Sequence, residues 1–99
     1  MSEVEFYTPD YGWGSGVRLQ WVACSNGHYP ENAVEAGSDS GARLLVARAR
    51  IGGALVPGKL HVGHNACYIP ENGLENPVYN YEVPNISIAT EMFANRVEC

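Results

Sequence analysis

The sequence predicts an all-β domain, and three observations carry the prediction. Apolar residues recur with period two in several short runs, and Gly, Pro, Asn and Asp punctuate the chain between them. Helical signals are nearly absent, since no long stretch repeats apolar positions at three and four without Gly or Pro intervening. The composition agrees: 11 Gly and 6 Pro in 99 residues suit many turns and short elements. A chain of this length forms one domain, 1–99, with a core of limited reserve.

Taken in order, Val17, Leu19, Trp21 and Ala23 alternate with Arg18, Gln20 and Val22, the pattern of a half-buried strand. Trp21, set between Leu19 and Ala23, reads as core. Asn26-Gly27 supplies a turn. Ala33-Val34 is too brief to stand alone and is expected to pair at a sheet edge. In Arg43–Arg50, Leu44 and Val46 lie on one face and Leu45, Ala47 and Ala49 on the other, which predicts a strand covered on both sides. Arg48 and Arg50 share the Leu44 side, so the strand must leave the core there or pair those guanidiniums. Gly52-Gly53 closes a hairpin, Ala54 to Val56 begins its return, and Pro57-Gly58 predicts a tight turn or bulge that leaves Lys59 in a turn.

Leu60 and Val62 resume the alternation, and Ala66 to Ile69 form another short strand. Tyr79, Tyr81 and Val83 then face away from Asn80 and Glu82, with Ile86 and Ile88 following a Pro84-Asn85 interruption. Thr90 to Val97 reads as a strand, with a helical turn as the alternative. The tally is roughly seven or eight short strands. His28–Glu35 and Cys67–Glu75 echo one another, each reading as a Tyr-anchored strand entering a Pro-Glu-Asn turn.

Several function classes are disfavoured. A formal net charge of -5 works against a nucleic-acid footprint, although Arg43, Arg48 and Arg50 cluster. Those arginines are expected to pair with Glu31, Glu35, Glu71 or Glu75, or to meet anionic groups. No apolar run is long enough to span a bilayer, so direct membrane insertion is not expected. The N-terminus lacks a basic segment followed by an apolar one, so the chain reads as cytoplasmic, with non-classical release as its way out. Cys24, Cys67 and Cys99 are an odd set without CxxC spacing, read as two small buried hydrophobes and one loose terminal thiol. His61 and His64, three apart, fall on opposite faces of a strand, which argues against a shared metal. A turn through Gly63 would bring them together with Cys67 as a third ligand, but no fourth is evident. Glu31 with Glu71 lacks the cleft a glycosidase needs, and Cys67 with His64 lacks an oxyanion-forming helix start. No enzyme, cofactor or resident metal is expected.

One ordered set of residues resembles a known family. Trp21, Gly27, Pro30, Ala33-Val34, Gly37, Asp39, Gly41, Leu44 to Ala49, Gly53, Leu55, Pro57-Gly58-Lys59, Cys67-Tyr68 and Tyr81-Glu82-Val83 together resemble a DM9 repeat. The likeness runs over about residues 21–83. It implies a small antiparallel β-sheet or sandwich-like DM9 fold. The lectin members of the family imply binding of mannose-type glycans, and others accompany pore-forming domains in natterin-like proteins or respond to infection in innate immunity. Aspartate in the Gly-x-Asp turn and lysine in the Pro-Gly-Lys turn, here Asp39 and Lys59, would contact the sugar. Only one repeat is present, so residues 1–20 and 84–99 must complete the fold, or a second chain must, by exchange in a homodimer.

The chemistry of such a pair is sound. A carboxylate accepts hydrogen bonds from two sugar hydroxyls, an ammonium donates to hydroxyl or ring oxygens, and a hairpin through Gly52-Gly53 is expected to bring the two turns together. From spacing alone, an Asx-turn for Asp39 and an ordinary solvated lysine for Lys59 are the favoured readings; the resemblance reverses that and makes them a site. Tyr29, Tyr68, Tyr79 and Tyr81 are candidate aromatic walls for a sugar's CH face. Trp13, flanked by Gly12 and Gly14, is either a stacking residue or a plug between subunits. The competing reading is a structural or protein-interaction module that oligomerises through Trp13 and its edge strands without binding sugar.

Overall fold

The alternation resolves into eight strands in a computed structural model, which describes residues 4–7, 17–88 and 99, with side chains at 18–86 and Cys99. They are β1 (Val4–Tyr7), β2 (Val17–Ser25), β3 (Glu35–Asp39), β4 (Ala42–Ile51), β5 (Ala54–His61), β6 (Cys67–Glu71), β7 (Leu74–Val78) and β8 (Asn80–Ile88). Every pairing is antiparallel, in the order β1-β2-β8-β4-β5-β6-β7, with β3 pairing β4 off that path. The described fold is thus the all-β antiparallel class expected. Trp13 and Thr90 to Val97 lie outside the described residues.

Three hairpins close on two-residue turns. Ser40-Gly41, Asn72-Gly73 and Gly52-Gly53 all have positive φ at both positions, the sign pattern of a type I′ turn, whose twist matches that of the flanking strands. The Pro-Glu-Asn echo is borne out at the turn itself, since Asn32 and Asn72 adopt φ of 56° and 53°. His28 to Pro30, however, is not strand.

β4 is the central element. Leu45, Ala47 and Ala49 are buried with Val22, Leu60, Cys67, Ile69, Tyr81 and Val83 in one cluster. Its other face carries Leu44, Val46 and Arg48, with Leu44 also buried, so both faces are covered as the run predicted. β4 meets β8 only at Arg48 and Glu82. Beyond that point Ala33-Val34 enters between the two strands: Val34 N donates to the Pro84 carbonyl, and Val46 N donates to the Val34 carbonyl. The expected edge pairing of Ala33-Val34 is therefore an interior one.

Other expectations are corrected. On β2 the buried residues are Gln20, Val22 and Cys24, so the core takes the opposite face from Trp21. Trp21 lies instead beneath Arg48, whose guanidinium carbon is 3.8 Å from the ring centre. β8 runs unbroken through Pro84-Asn85, and Tyr79 is exposed outside it. Pro57-Gly58 is no turn, for β5 passes straight through it and Lys59 is a strand residue. Gly58 answers to packing: a Cβ there would lie 2.5 Å from Ile69 Cδ1 and 2.6 Å from the Tyr68 carbonyl oxygen.

The cysteine reading is corrected too. Cys24 and Cys99 form a disulfide, with Cα atoms 5.4 Å apart across a sequence separation of 75. Bridging depends on distance in space, which spacing along the chain does not reveal. Closing so long a loop restricts the unfolded chain by about 4 kcal/mol. Cys67 alone is free, fully buried at the β5–β6 register.

Candidate functional site

Register decides which predicted site residues meet. Lys59 is the cross-strand partner of both Val46 on β4 and Tyr68 on β6, so these side chains share the face opposite the core cluster. Lys59 is exposed and Tyr68 half-buried. His61, two residues beyond Lys59, stands on the same face and is paired with Leu44. Structure thus brings Lys59 and Tyr68 together and adds a histidine.

A second histidine completes the group. After His61 the chain turns through Gly63, φ +99°, and His64 N donates to the His61 carbonyl at 3.0 Å. The His61 and His64 ring centres are therefore 4.8 Å apart, which corrects the expectation of opposite faces. Tyr68 presents its ring to both at near right angles, 5.6 Å from His61 and 5.7 Å from His64. Its hydroxyl lies 3.0 Å from His64 Nδ1. Cys67 points into the core and is not a third ligand; burial pushes its thiol up to about 11. Among the described residues no three of His, Cys, Asp and Glu converge as a metal cage.

The neighbouring loop is held by backbone contacts. Gly27, φ +90°, packs so closely on the His64 carbonyl that a Cβ would collide with it. Tyr81 fixes the same loop, its hydroxyl accepting from Gly27 N at 2.8 Å and donating to the His28 carbonyl at 2.9 Å. Burial raises the Tyr81 phenol above its ordinary value. Tyr29 follows two residues after Gly27 and is exposed.

Asp39 stands apart from Lys59. It is the last residue of β3, exposed, paired with Ala42, and its Oδ1 accepts from the Ser40 hydroxyl at 3.3 Å. The Gly52-Gly53 hairpin forms, yet it sets Lys59 level with Val46 and Asp39 level with Ala42, on opposite flanks of β4. That is about 13 Å along the strand and two strand spacings across it, or roughly 16 Å between Cα atoms. The two remain on one face, with His61 at the intermediate level of Leu44. The arginines are mostly engaged: Arg43 with exposed Glu35 at 2.6 Å, and Arg48 with Glu82 at 2.8 Å, a partner the sequence reading did not name.

Fold and face together define a small antiparallel β module in which exposed Lys59 and His64 stand beside half-buried Tyr68 and His61 at β5 and β6. The DM9 repeat model matches residues 7–78, and the chain belongs to that family. Over 70 residues it is 37% identical to Natterin-4 of Thalassophryne nattereri, a match that covers 71% of this chain. The chain spans only 16% of that relative's length.

Proposed function

We propose that this DM9 domain is a non-enzymatic carbohydrate-binding module that takes mannose-type glycans on the face carrying Lys59, Tyr68 and Asp39. The observation that carries the reading is the pairing of Lys59 with Tyr68 in register on an exposed strand face. An ammonium beside an aromatic ring offers a hydroxyl donor and an apolar edge to the same sugar residue. The separation of Asp39 along that face suits a glycan of more than one residue, with the carboxylate accepting hydroxyls from a neighbouring unit. Tyr29 is exposed on the loop that Tyr81 pins.

An open site of this kind binds weakly alone, because each hydroxyl gives up water to enter it. A homodimer would supply avidity toward glycans displayed on a surface. The Cys24–Cys99 disulfide supports an encounter in an oxidising compartment, where such bonds persist. A cytoplasmic location would call for the reduced pair.

Calorimetric titration with mannose and mannotriose, for the wild type beside Lys59→Ala and Asp39→Ala, tests the assignment. Loss of binding in Lys59→Ala and selective loss of the trisaccharide's advantage in Asp39→Ala are expected. Wild-type affinity in both variants would remove the site, and silence toward every arrayed glycan would remove the function.

A further inference from the structure

The three histidines do not share one environment, and two of them form a pair. We infer that His61 and His64 constitute an open site for a borderline divalent transition cation such as Zn²⁺, with Tyr68 positioning the second imidazole. The inference stands on the imidazole geometry alone and does not depend on glycan binding.

Distance is the first argument. Imidazole nitrogens bind zinc at about 2.0–2.1 Å, which places the centres of two rings sharing one tetrahedral ion about 5 Å apart. The His61 and His64 centres are 4.8 Å apart. Side-by-side histidines on a regular strand would diverge, and it is the turn at Gly63 that closes this gap.

Preorganisation is the second. Ligating histidines usually donate their other ring N–H to a fixed acceptor, which sets the tautomer and the ring orientation. The Tyr68 hydroxyl stands 3.0 Å from His64 Nδ1, and a proton on Nδ1 leaves the Nε2 lone pair to the ion. The backbone beneath is fixed as well, by His64 N on the His61 carbonyl, Val62 N on the Arg43 carbonyl and the close approach of Gly27 to the His64 carbonyl.

Donor chemistry sets the selectivity. Two imidazoles, with no carboxylate converging on them among the described residues, favour Zn²⁺, Co²⁺, Ni²⁺ or Cu²⁺ over Ca²⁺ and Mg²⁺, which require oxygen ligands. Thiols do not compete, since Cys67 is buried and Cys24 is bonded to Cys99. With two protein ligands, water fills the remaining positions, so the site exchanges freely and binds modestly. Lys59 is the nearest cation in register; exposed and screened by salt, it opposes the ion only weakly.

Zn²⁺ titration of the full chain by calorimetry, with Ca²⁺ as control, tests the inference alongside long-range ¹H–¹⁵N spectra of the imidazoles. One equivalent of Zn²⁺ is expected, with the Nε2 signal of His64 shifted and its Nδ1 still protonated. His61→Ala and His64→Ala should each weaken binding about tenfold or more, because the second ligand acts at high effective concentration. Tyr68→Phe should weaken it by about tenfold as the orienting hydroxyl is lost. His28→Ala should leave it within roughly twofold, as expected of a surface change outside the pair. Lys59→Ala should leave zinc binding intact or tighter while abolishing any glycan binding, so the two readings fail independently. Unchanged affinity in either His61→Ala or His64→Ala, or an equal loss in His28→Ala, overturns the site.

Discussion

Two clusters on the same sheet face set a cation beside an aromatic ring, and they differ in whether that cation is held in an ion pair among the described residues. At the β2–β8–β4 end, Arg48 lies over the Trp21 ring and bonds Glu82, with side-chain exposures of only 13% and 19% for the ion pair. At the β4–β5–β6 end, Lys59 is exposed beside half-buried Tyr68, with half-buried His61 and exposed His64 close by. In the first cluster Arg48 and Glu82 spend their charge on each other and clamp β8 to β4 where those strands pair, while the buried Trp21 Nε1 finds no hydrogen-bond partner among the described residues. The second keeps capacity in reserve. Similar residue types therefore scaffold at one end and leave an exposed cation at the other, and the carboxylate partner of the cation makes the difference.

The largest expected effect lies in the sealed cluster. Glu82→Ala removes the half-buried Arg48–Glu82 ion pair and should lower unfolding free energy by about 3 kcal/mol. Urea denaturation reads this directly, and a midpoint within error of wild type would break the clamp. Glycan and zinc titrations of the folded variant should not change.

Gly58 bears on the open cluster alone, because the close packing of β5 on β6 at this residue sets where Tyr68 stands. Gly58→Ala forces a methyl against Ile69 Cδ1 and the Tyr68 carbonyl, and should destabilise by about 1–3 kcal/mol. Since Tyr68 must then shift, zinc affinity should fall as well, unlike in Glu82→Ala. A variant that loses stability but keeps wild-type zinc binding would uncouple β6 from the open cluster.

That residue also marks where local sequence reading stopped. β4 and its covered faces were legible because alternation is a property of the strand itself, and the Gly52-Gly53 turn because two positive φ angles demand such residues. Gly58 reads as a turn glycine, but its reason is the cross-strand approach of Ile69 and Tyr68, which only the folded sheet contains. Trp21 and its alternating neighbours drew the core to the wrong face of β2, because the bulk of an indole outweighed Val22 and Cys24 opposite. The Cys24–Cys99 disulfide and the Arg48–Glu82 pair are likewise long-range, without a spacing signature. In the candidate site, family likeness names Lys59 and aromatic chemistry names Tyr68, while His61 and His64 join them through a turn whose glycine is visible in the sequence and whose outcome is not.

Neighbouring residues on β6 give a contrast by pH. Cys67 faces the core and Tyr68 the open side, and burial holds the Cys67 thiol near about 11 against an ordinary 9.0. The native state therefore retains this proton at pH values where the unfolded chain releases it. The associated stability is fully present below pH 9 and declines as pH rises through 11, in the sense set by proton linkage. Tyr81, also raised, adds to the same decline at the alkaline end. Cys67→Ala should flatten the slope of stability against pH in this window while leaving part of it to Tyr81. An identical slope in the variant would show that Cys67 is not the group responsible.

The smallest effect on stability should accompany the largest effect on binding. Lys59 is exposed and no salt bridge to it exists among the described residues, so Lys59→Ala should change unfolding free energy by no more than about 0.5 kcal/mol. If the open cluster holds its capacity for a ligand, this near-silent substitution must register in glycan titration all the same. Denaturation and binding measured on one preparation make the comparison strict. A stability loss as large as that of Glu82→Ala would mean that Lys59 is part of the scaffold after all, and the contrast between sealed and open clusters would collapse.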